Sequence, residues 1–289
     1  MTLKASEFIQ NSDGSIYHLN LLPEHLATTV ITVGDQDRVQ AVTKYFDTID
    51  TRIQKREFHT QTGTYKGKRI SVVSTGIGTD NIDIVFNELD ALVNIDFKTR
   101  KVKEELTSLD IIRIGTSGAI QPEIPIDAFL TSQAGIGFDS MLQFYDTKDV
   151  LDTAFAEALV RDLHYSPNKG IPYVVSCDQQ LASWFIDGFH KGVTLTNCGF
   201  YGPQGRVLRL ELQDPDLNDK IAAFNYKGQK ITNLEMETAG MYGLAKLMGH
   251  RTVSLNAIVA NRATGEFSRD SKNTVDLLIR ATLEKIASN

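Results

Sequence analysis

Two stretches carry the residue types best suited to chemistry, Phe200–Arg206 (FYGPQGR) and Asn233–Thr238 (NLEMET). The first sets an aromatic ring, a primary amide and a guanidinium on a backbone bent by Gly202, Pro203 and Gly205. Gln204 offers both a donor and an acceptor and Arg206 a rigid donor fork, so the pair suits a planar heterocycle with both kinds of edge. In the second stretch Glu235, Met236 and Glu237 are expected to open a helix, and a carboxylate there can grip two sugar hydroxyls. Together the stretches point to a nucleoside. Each has a plainer reading: Phe200 as a core aromatic, Glu237 as a surface helix residue.

A third set suits an anion. Arg38 lies four residues after Gly34, at the start of the first expected helix, and alone reads as an exposed helix charge. Arg113 interrupts the apolar run LDIIRIGT, where a charge is expensive unless it is paired or faces a cleft. A structural ion pair with Asp or Glu would serve it equally well. Thr116 adds a hydroxyl on the turn expected after Arg113. Two guanidiniums, a hydroxyl and free backbone N–H groups make a phosphate cradle.

The elements that must position these groups follow the alternation of an α/β fold. Strands are expected at Thr29–Val33, Ile70–Ser74, Asp110–Ile114, Ala128–Ser132, Val193–Thr196 and Thr252–Ala260. Helices are expected at Asp37–Phe46, Ile82–Ile95, Leu151–Leu163, Asp216–Asn225, Glu235–Met248 and Ser271–Ala287. Three strands are expected to end in glycine turns: TVGDQDR at Thr32, STGIGTDN at Ser74 and RIGTSGAI at Arg113. Ligands of open α/β sheets sit outside such strand ends, where glycine permits close approach and a following helix offers free N–H groups. None of the three matches the dinucleotide or P-loop pattern. The charge run Lys98–Glu105 (KTRKVKEE) reads as a solvated helix or loop. Without repeats or a Gly/Pro/Ser-rich linker, residues 1–289 are expected to form a single domain.

The chain has 289 residues, 42% of them hydrophobic and 23% charged, with a formal charge of −6. That balance argues against a nucleic-acid partner, which calls for a basic face, while clustered arginines still accommodate an anionic substrate. Cys177 and Cys198 give no metal-binding or disulfide spacing. The N-terminus has no apolar run of signal-peptide type and no segment approaches a membrane span, so no membrane partner and a cytoplasmic location are expected.

IIRIGTSGAI, FYGPQGR and NLEMET, in this order, resemble the nucleoside phosphorylases and, within them, the uridine phosphorylases. Weaker similarity runs from TVGDQDR at Thr32 to NRATGEF at Asn261. RIGTSG alone marks the wider family, and Gln204-x-Arg206 selects the pyrimidine branch. Where the purine branch leads one to look for an acid, this chain has Asn261-Arg262. The resemblance implies a three-layer α/β/α sandwich around a central mixed β-sheet. It implies phosphorolysis of uridine, and possible use of deoxyuridine or thymidine, to uracil and ribose 1-phosphate in pyrimidine salvage. No cofactor or metal is implied, with inorganic phosphate as co-substrate. By the same similarity Gly34, Arg38, Arg113 and Thr116 hold phosphate, joined by Arg56 from a neighbouring subunit. His18, crossing the same interface, Thr116, Met236 and Glu237 hold ribose. Phe200, Gln204 and Arg206 hold the base, with Val259 and Ala260 lining its pocket, and Arg206, Gln204 and Glu237 carry catalysis. Shared sites imply a homo-oligomer, at least a dimer.

The chain departs from the family pattern at Cys198 and Gly199, where an Asp is common, and at Gly202-Pro203. Two segments, 165–192 and 97–108, look inserted. Asn81 stands where the hexameric bacterial enzymes place a Ser in an interface cation site. The competing readings are a nucleosidase of the same fold that uses water, a nucleoside-binding protein without turnover and, more distantly, an NAD-dependent oxidoreductase.

Overall fold

The computed structural model describes residues 2–147 and 149–289. In chain order its strands are β1 (Thr29–Val33), β2 (Thr48–Lys55), β3 (Phe58–Tyr65), β4 (Lys68–Ser74), β5 (Ile95–Asp96), β6 (Lys101–Val102), β7 (Asp110–Ala119), β8 (Phe129–Gly137), β9 (Tyr173–Ser176), β10 (His190–Thr196), β11 (Asn225–Tyr226), β12 (Gln229–Glu235), β13 (Arg251–Asn261) and β14 (Glu266–Phe267). The helices are α1 (Gln36–Thr43), α2 (Thr79–Asn94), α3 (Thr153–Asp162), α4 (Gln179–Ala182), α5 (Leu217–Ala223), α6 (Thr238–Met248) and α7 (Ser271–Ser288). None is long and apolar enough to cross a membrane among the described residues.

The main sheet runs β11-β12-β10-β8-β13-β7-β1-β4-β3-β2, with β14 added to β13 and β9 to β8. It is mixed: β4, β1, β7 and β13 run parallel, whereas β2, β3, β9 and β14 join antiparallel. Val30 to Val33 of β1 and Ile111 to Gly115 of β7 are buried at every position, so both faces of the central sheet are covered. That continuous burial is typical of parallel strands between helical layers. Helix α1 packs with α7, and α2 with α6, which gives the expected three layers. At the free edge, β2 (TIDTRIQK) alternates exposed and half-buried residues, and its charges suit an unpaired strand edge.

The second half of β7 does not turn away after Ile114. It continues through Gly115, Thr116, Ser117 and Gly118 to Ala119, parallel to β13 and antiparallel to β12. The path β7-β12-β10-β8-β13-β7 therefore closes on itself. This corrects the expected glycine turn at RIGTSG: Gly115 and Thr116 lie inside a strand. The other two glycine turns follow strand ends as expected, with β1 ending at Val33 and β4 at Ser74.

A second correction concerns NLEMET. Glu235 is the last residue of β12, Met236 and Glu237 form the connection, and α6 starts only at Thr238. The Glu235 carboxylate accepts from the backbone N–H groups of Glu237 (3.0 Å) and Thr238 (2.9 Å), so it satisfies free donors of the helix start. The far end behaves as expected: α6 stops before Gly249, which adopts a left-handed conformation (φ 78°). The Lys98–Glu105 run forms an exposed ribbon in which β6 pairs with β5.

Candidate active site

Parallel pairing places the ends of β4, β1 and β7 side by side. Val33 lies opposite Ser74, and Thr32 opposite both Val73 and Arg113. Gly34 follows β1, and Asp35 caps α1 by accepting from the N–H of Asp37. Arg38, one turn into α1, does not face solvent: its Nη1 donates to the carbonyl of Ile114 on β7 (3.3 Å). Burial, and then the Arg113 charge, pull the Arg38 guanidinium below its ordinary range. Two guanidiniums thus share one partly desolvated region, an arrangement that an anion relieves.

Arg113 is 6% exposed. Its Nη2 donates to Glu237 Oε2 at 2.6 Å and lies 3.3 Å from Glu235 Oε2, while Nη1 reaches Asn256 Oδ1 at 3.3 Å. Burial opposes its charge, but Glu235 and Glu237 hold it above the ordinary arginine value. The guanidinium folds back across Gly115, where a Cβ would collide with it. That is the physical reason for glycine directly beyond the arginine on this strand. The ion pair expected for Arg113 is present, and its partner is Glu237, the residue singled out for a sugar.

Glu237 is 5% exposed, not on the helix surface. Burial raises its carboxyl, against the pull of Arg113. Its other oxygen accepts from the N–H of Gly78 at 2.9 Å, on the loop between β4 and α2. Gly78 has φ 94°, a conformation that favours glycine, and the nearby Asn81 amide donates to Ile77 (3.3 Å) in the same loop. Met236, next to this carboxylate, is half-buried. Thr116 is half-buried on β7, opposite Ala257.

The base-side residues form their own cluster on the turn after β10. Gly202–Gln204 make one turn of 3-10 helix, and Gly205 closes it at φ 70°. Gln204 is 3% exposed, whereas Phe200 is 50% exposed. The Arg206 guanidinium lies 3.7 Å from the Phe200 ring centroid, and its Nη1 donates to Gln204 Oε1 and to the Phe200 carbonyl, both at 2.6 Å. Val259 and Ala260 are half-buried near the end of β13, with Ala260 paired to Gly118 of β7. Because Leu234 of β12 also pairs with Gly118, the strand leading to Met236 and Glu237 meets the Val259–Ala260 segment across β7.

One polar residue escaped selection from the sequence. Arg262 follows β13, donates through Nη1 to the Gln204 carbonyl, and leaves Nη2 buried without a partner. Burial, and then Arg206, lower its guanidinium to about 10. The sequence signal was a lone arginine beside Asn261. Its neighbour is structural, since the Asn261 amide donates to the carbonyls of Gln121 and Ile124.

Arg56 and His18 both pack against Tyr17. Arg56 occupies the β2–β3 turn at φ 55°, with its guanidinium 5.6 Å from the Tyr17 ring centroid. The His18 ring meets the Tyr17 ring edge-on at 4.7 Å, and its Nδ1 lies 2.7 Å from Glu88 Oε1. The Arg56 turn also reaches the anion side, since its carbonyl accepts from Gln36, two residues before Arg38 (3.2 Å).

Residues 28–287 match the model of the phosphorylase superfamily. The chain belongs to that superfamily. It is similar to the uridine phosphorylase of Thermococcus kodakarensis, at 28% identity with 98% of this chain and 91% of that protein covered. It is also similar to the uridine phosphorylase of Haemophilus influenzae (26%, 94% of each) and to the DeoD-type purine nucleoside phosphorylase of Bacillus subtilis (24%, 93% and 98%). Among solved structures, a Trypanosoma brucei nucleoside phosphorylase described as showing uridine phosphorylase activity superposes with a TM-score of 0.86 at 25% identity. The match covers 98% of this chain and all of that one. A second likeness, to a uridine phosphorylase of Phytophthora capsici (TM-score 0.71, 21% identity, 100% and 99% covered), concerns the fold alone. Membership of the nucleoside phosphorylase family and its α/β fold, both expected from the sequence, stand.

Proposed function

We propose that the protein is a uridine phosphorylase, converting uridine and phosphate to uracil and ribose 1-phosphate. The observation that carries this reading is the direct contact between Arg113 and Glu237, with Arg38 alongside (Glu237 Oε2 to Arg113, 2.6 Å). An anion cradle and a group able to hold a sugar diol meet at one point of β7. A water-using nucleosidase has no need of two neighbouring guanidiniums.

Cleaving an N-glycosidic bond builds positive charge on the ribose and negative charge on the departing base. Phosphate, held at Gly34, Arg38, Arg113 and Thr116, approaches the anomeric carbon and stabilises the cationic sugar. Glu237 orients the ribose through its hydroxyls, with Met236 against the ring. Arg206 donates to a uracil carbonyl as electron density enters the base, and Gln204 pairs with N3–H and a carbonyl. Phe200, Val259 and Ala260 line the base pocket, and Arg262 adds a donor whose Nη2 already lacks an acceptor. Cytosine would turn an amine donor toward these donors and leave them unpaired, a strong basis for discrimination. Arg56 and His18 serve a neighbouring subunit's site, so the working unit is at least a dimer.

The deciding experiment measures uracil release from uridine with and without inorganic phosphate. Phosphate-dependent release with ribose 1-phosphate is the expected result. Release without phosphate would make the protein a hydrolase, and binding without release a nucleoside-binding protein.

A further inference from the structure

We propose that the protein carries a second small-molecule site, behind the Gly202–Gly205 turn, for a flat aromatic ring bearing one anionic group. A cavity of about 320 Å³ opens there, at the small end of the range for ligand pockets. One wall is aromatic: Phe138, just after β8, and Tyr165 pack with ring centroids 4.5 Å apart at 40°, and both are largely buried. Leu212, Leu217 and Pro203 add apolar surface. A planar ring is the shape that such walls cover most fully.

The charge preference comes from Lys169. Its Nζ lies 5.7 Å from the Tyr165 ring centroid and pairs with no carboxylate among the described residues. The nearby Asp214 feels the Lys169 charge only after that of Lys220, with which it makes its ion pair at 2.9 Å. Glu211 at the exposed rim disfavours a second negative group on the ligand. A neutral nucleoside leaves the Lys169 charge unused, so the preferred occupant differs from the substrate of the catalytic cleft.

The cavity meets the base-reading turn from its other side. It is lined by Gly202, Pro203 and Gly205, not by Phe200, Gln204 or Arg206. Helix α5 contributes Leu217 to the wall, while the amide of Asn218 donates to the Gln204 carbonyl at 3.1 Å. A Cβ on Gly205 would collide with Asn218, so turn and helix fit closely. An occupant touching Pro203 and Leu217 therefore biases the position of Gln204 and Arg206. This coupling rests on the function proposed above; the site itself does not.

Cys198 lines the cavity and is exposed, whereas Cys177 is buried with its thiol pushed up to about 11 by burial. Alkylation by iodoacetamide thus reports on Cys198 in the unmodified full-length protein. With indole-3-acetate as probe, alkylation of Cys198 is expected to slow at least fivefold at saturation, and to do so equally with excess uridine and phosphate present. Lys169→Met, which breaks no ion pair, is expected to weaken the protecting affinity at least tenfold, and Lys169→Arg to retain it. Absent protection, equal protection in Lys169→Met, or protection abolished by uridine would each overturn the site. Protection with both kcat and KM for uridine unmoved would overturn the coupling. A protein without phosphorolytic activity would still show the protection pattern, so the two readings fail separately.

Discussion

Replacing Arg262 with methionine separates what this residue does for the fold from what it does for the substrate. Methionine keeps most of the apolar stem and removes the guanidinium. Burying an unsatisfied donor such as Nη2 costs ~1–3 kcal/mol, which the variant recovers. The lost hydrogen bond from Nη1 is worth ~0.5–1.5 kcal/mol, and the Gln204 carbonyl stays satisfied by Asn218 at 3.1 Å. The expected net effect on the ligand-free protein runs from a loss of about 0.5 kcal/mol to a gain of about 2.5 kcal/mol. For a chain of this size that gain is an upward shift of up to about 4 °C in Tm. Loss of the donor proposed to face the base is worth ~2–3 kcal/mol in the transition state, so kcat/KM for uridine should fall roughly 30- to 160-fold.

The pH dependence supplies an independent check. Arg262 is lowered to about 10 in the folded chain, against an ordinary 12.5. Between those values the unfolded chain holds a proton that the folded chain releases, so this group adds stability as pH rises through the window. Below about 10 both states are protonated and the penalty of the buried charge is present in full. Tm differences between wild type and Arg262→Met, measured by calorimetry from pH 8 to 11, should therefore shrink as pH rises. A Tm lowered by more than about 5 °C with kcat/KM unchanged would refute the reasoning, because Arg262 would then be a structural brace and not a base donor.

Three further outcomes follow from the same geometry. Arg206→Ala should lower uridine turnover by roughly 100-fold or more, and unchanged turnover would remove Arg206 from the mechanism. Glu237→Gln leaves Arg113 with only Glu235, at 3.3 Å, for a carboxylate partner; loss of ~1.5–3 kcal/mol in urea unfolding is expected, with turnover falling much further than Tm alone explains. Gly135→Ala places a Cβ 2.7 Å from the Cα of Ala239 at the start of α6, so ~1–3 kcal/mol of stability should be lost, and a wild-type Tm would mean that β8 and α6 are less closely packed than described.

Much of this arrangement was legible because local chemistry and fold agree. The apolar run Thr29–Val33 and the glycine turn after it marked β1 and the approach to α1, and a lone arginine in an apolar run marked Arg113 as a residue requiring a partner. Failures occurred where pairing between distant segments overrides local signals. Glycines at 115 and 118 read as a turn, yet strands β12 and β13 flank that backbone and extend it. Glu235, Met236 and Glu237 read as a helix start, yet β12 pairs through Glu235. The polar β2–β3 hairpin lacked an apolar pattern, since β2 lies at the sheet edge. Arg262 was hidden because its meaning lies in contact with Gln204, 58 positions earlier in the chain.

The ligand-free pairing also bears on how the proposed chemistry is organised. Arg113 and Glu237 neutralise one another, and Arg206 is engaged by Gln204 and Phe200, so the groups assigned to substrate are held by each other. Such contacts keep buried charges satisfied and fix side-chain positions before binding, which reduces the ordering required on association. Arg38 is nevertheless held below its ordinary range by burial and then by the Arg113 charge, which Asp35 and Glu237 offset only in part. Phosphate, the proposed co-substrate, would relieve this remaining charge repulsion. Its binding should therefore be measurable without nucleoside, and should weaken most in Arg38→Met, where the depressed guanidinium is gone. Isothermal titration with phosphate alone tests this; equal affinity in wild type and Arg38→Met would show that Arg38 takes no part in the anion cradle.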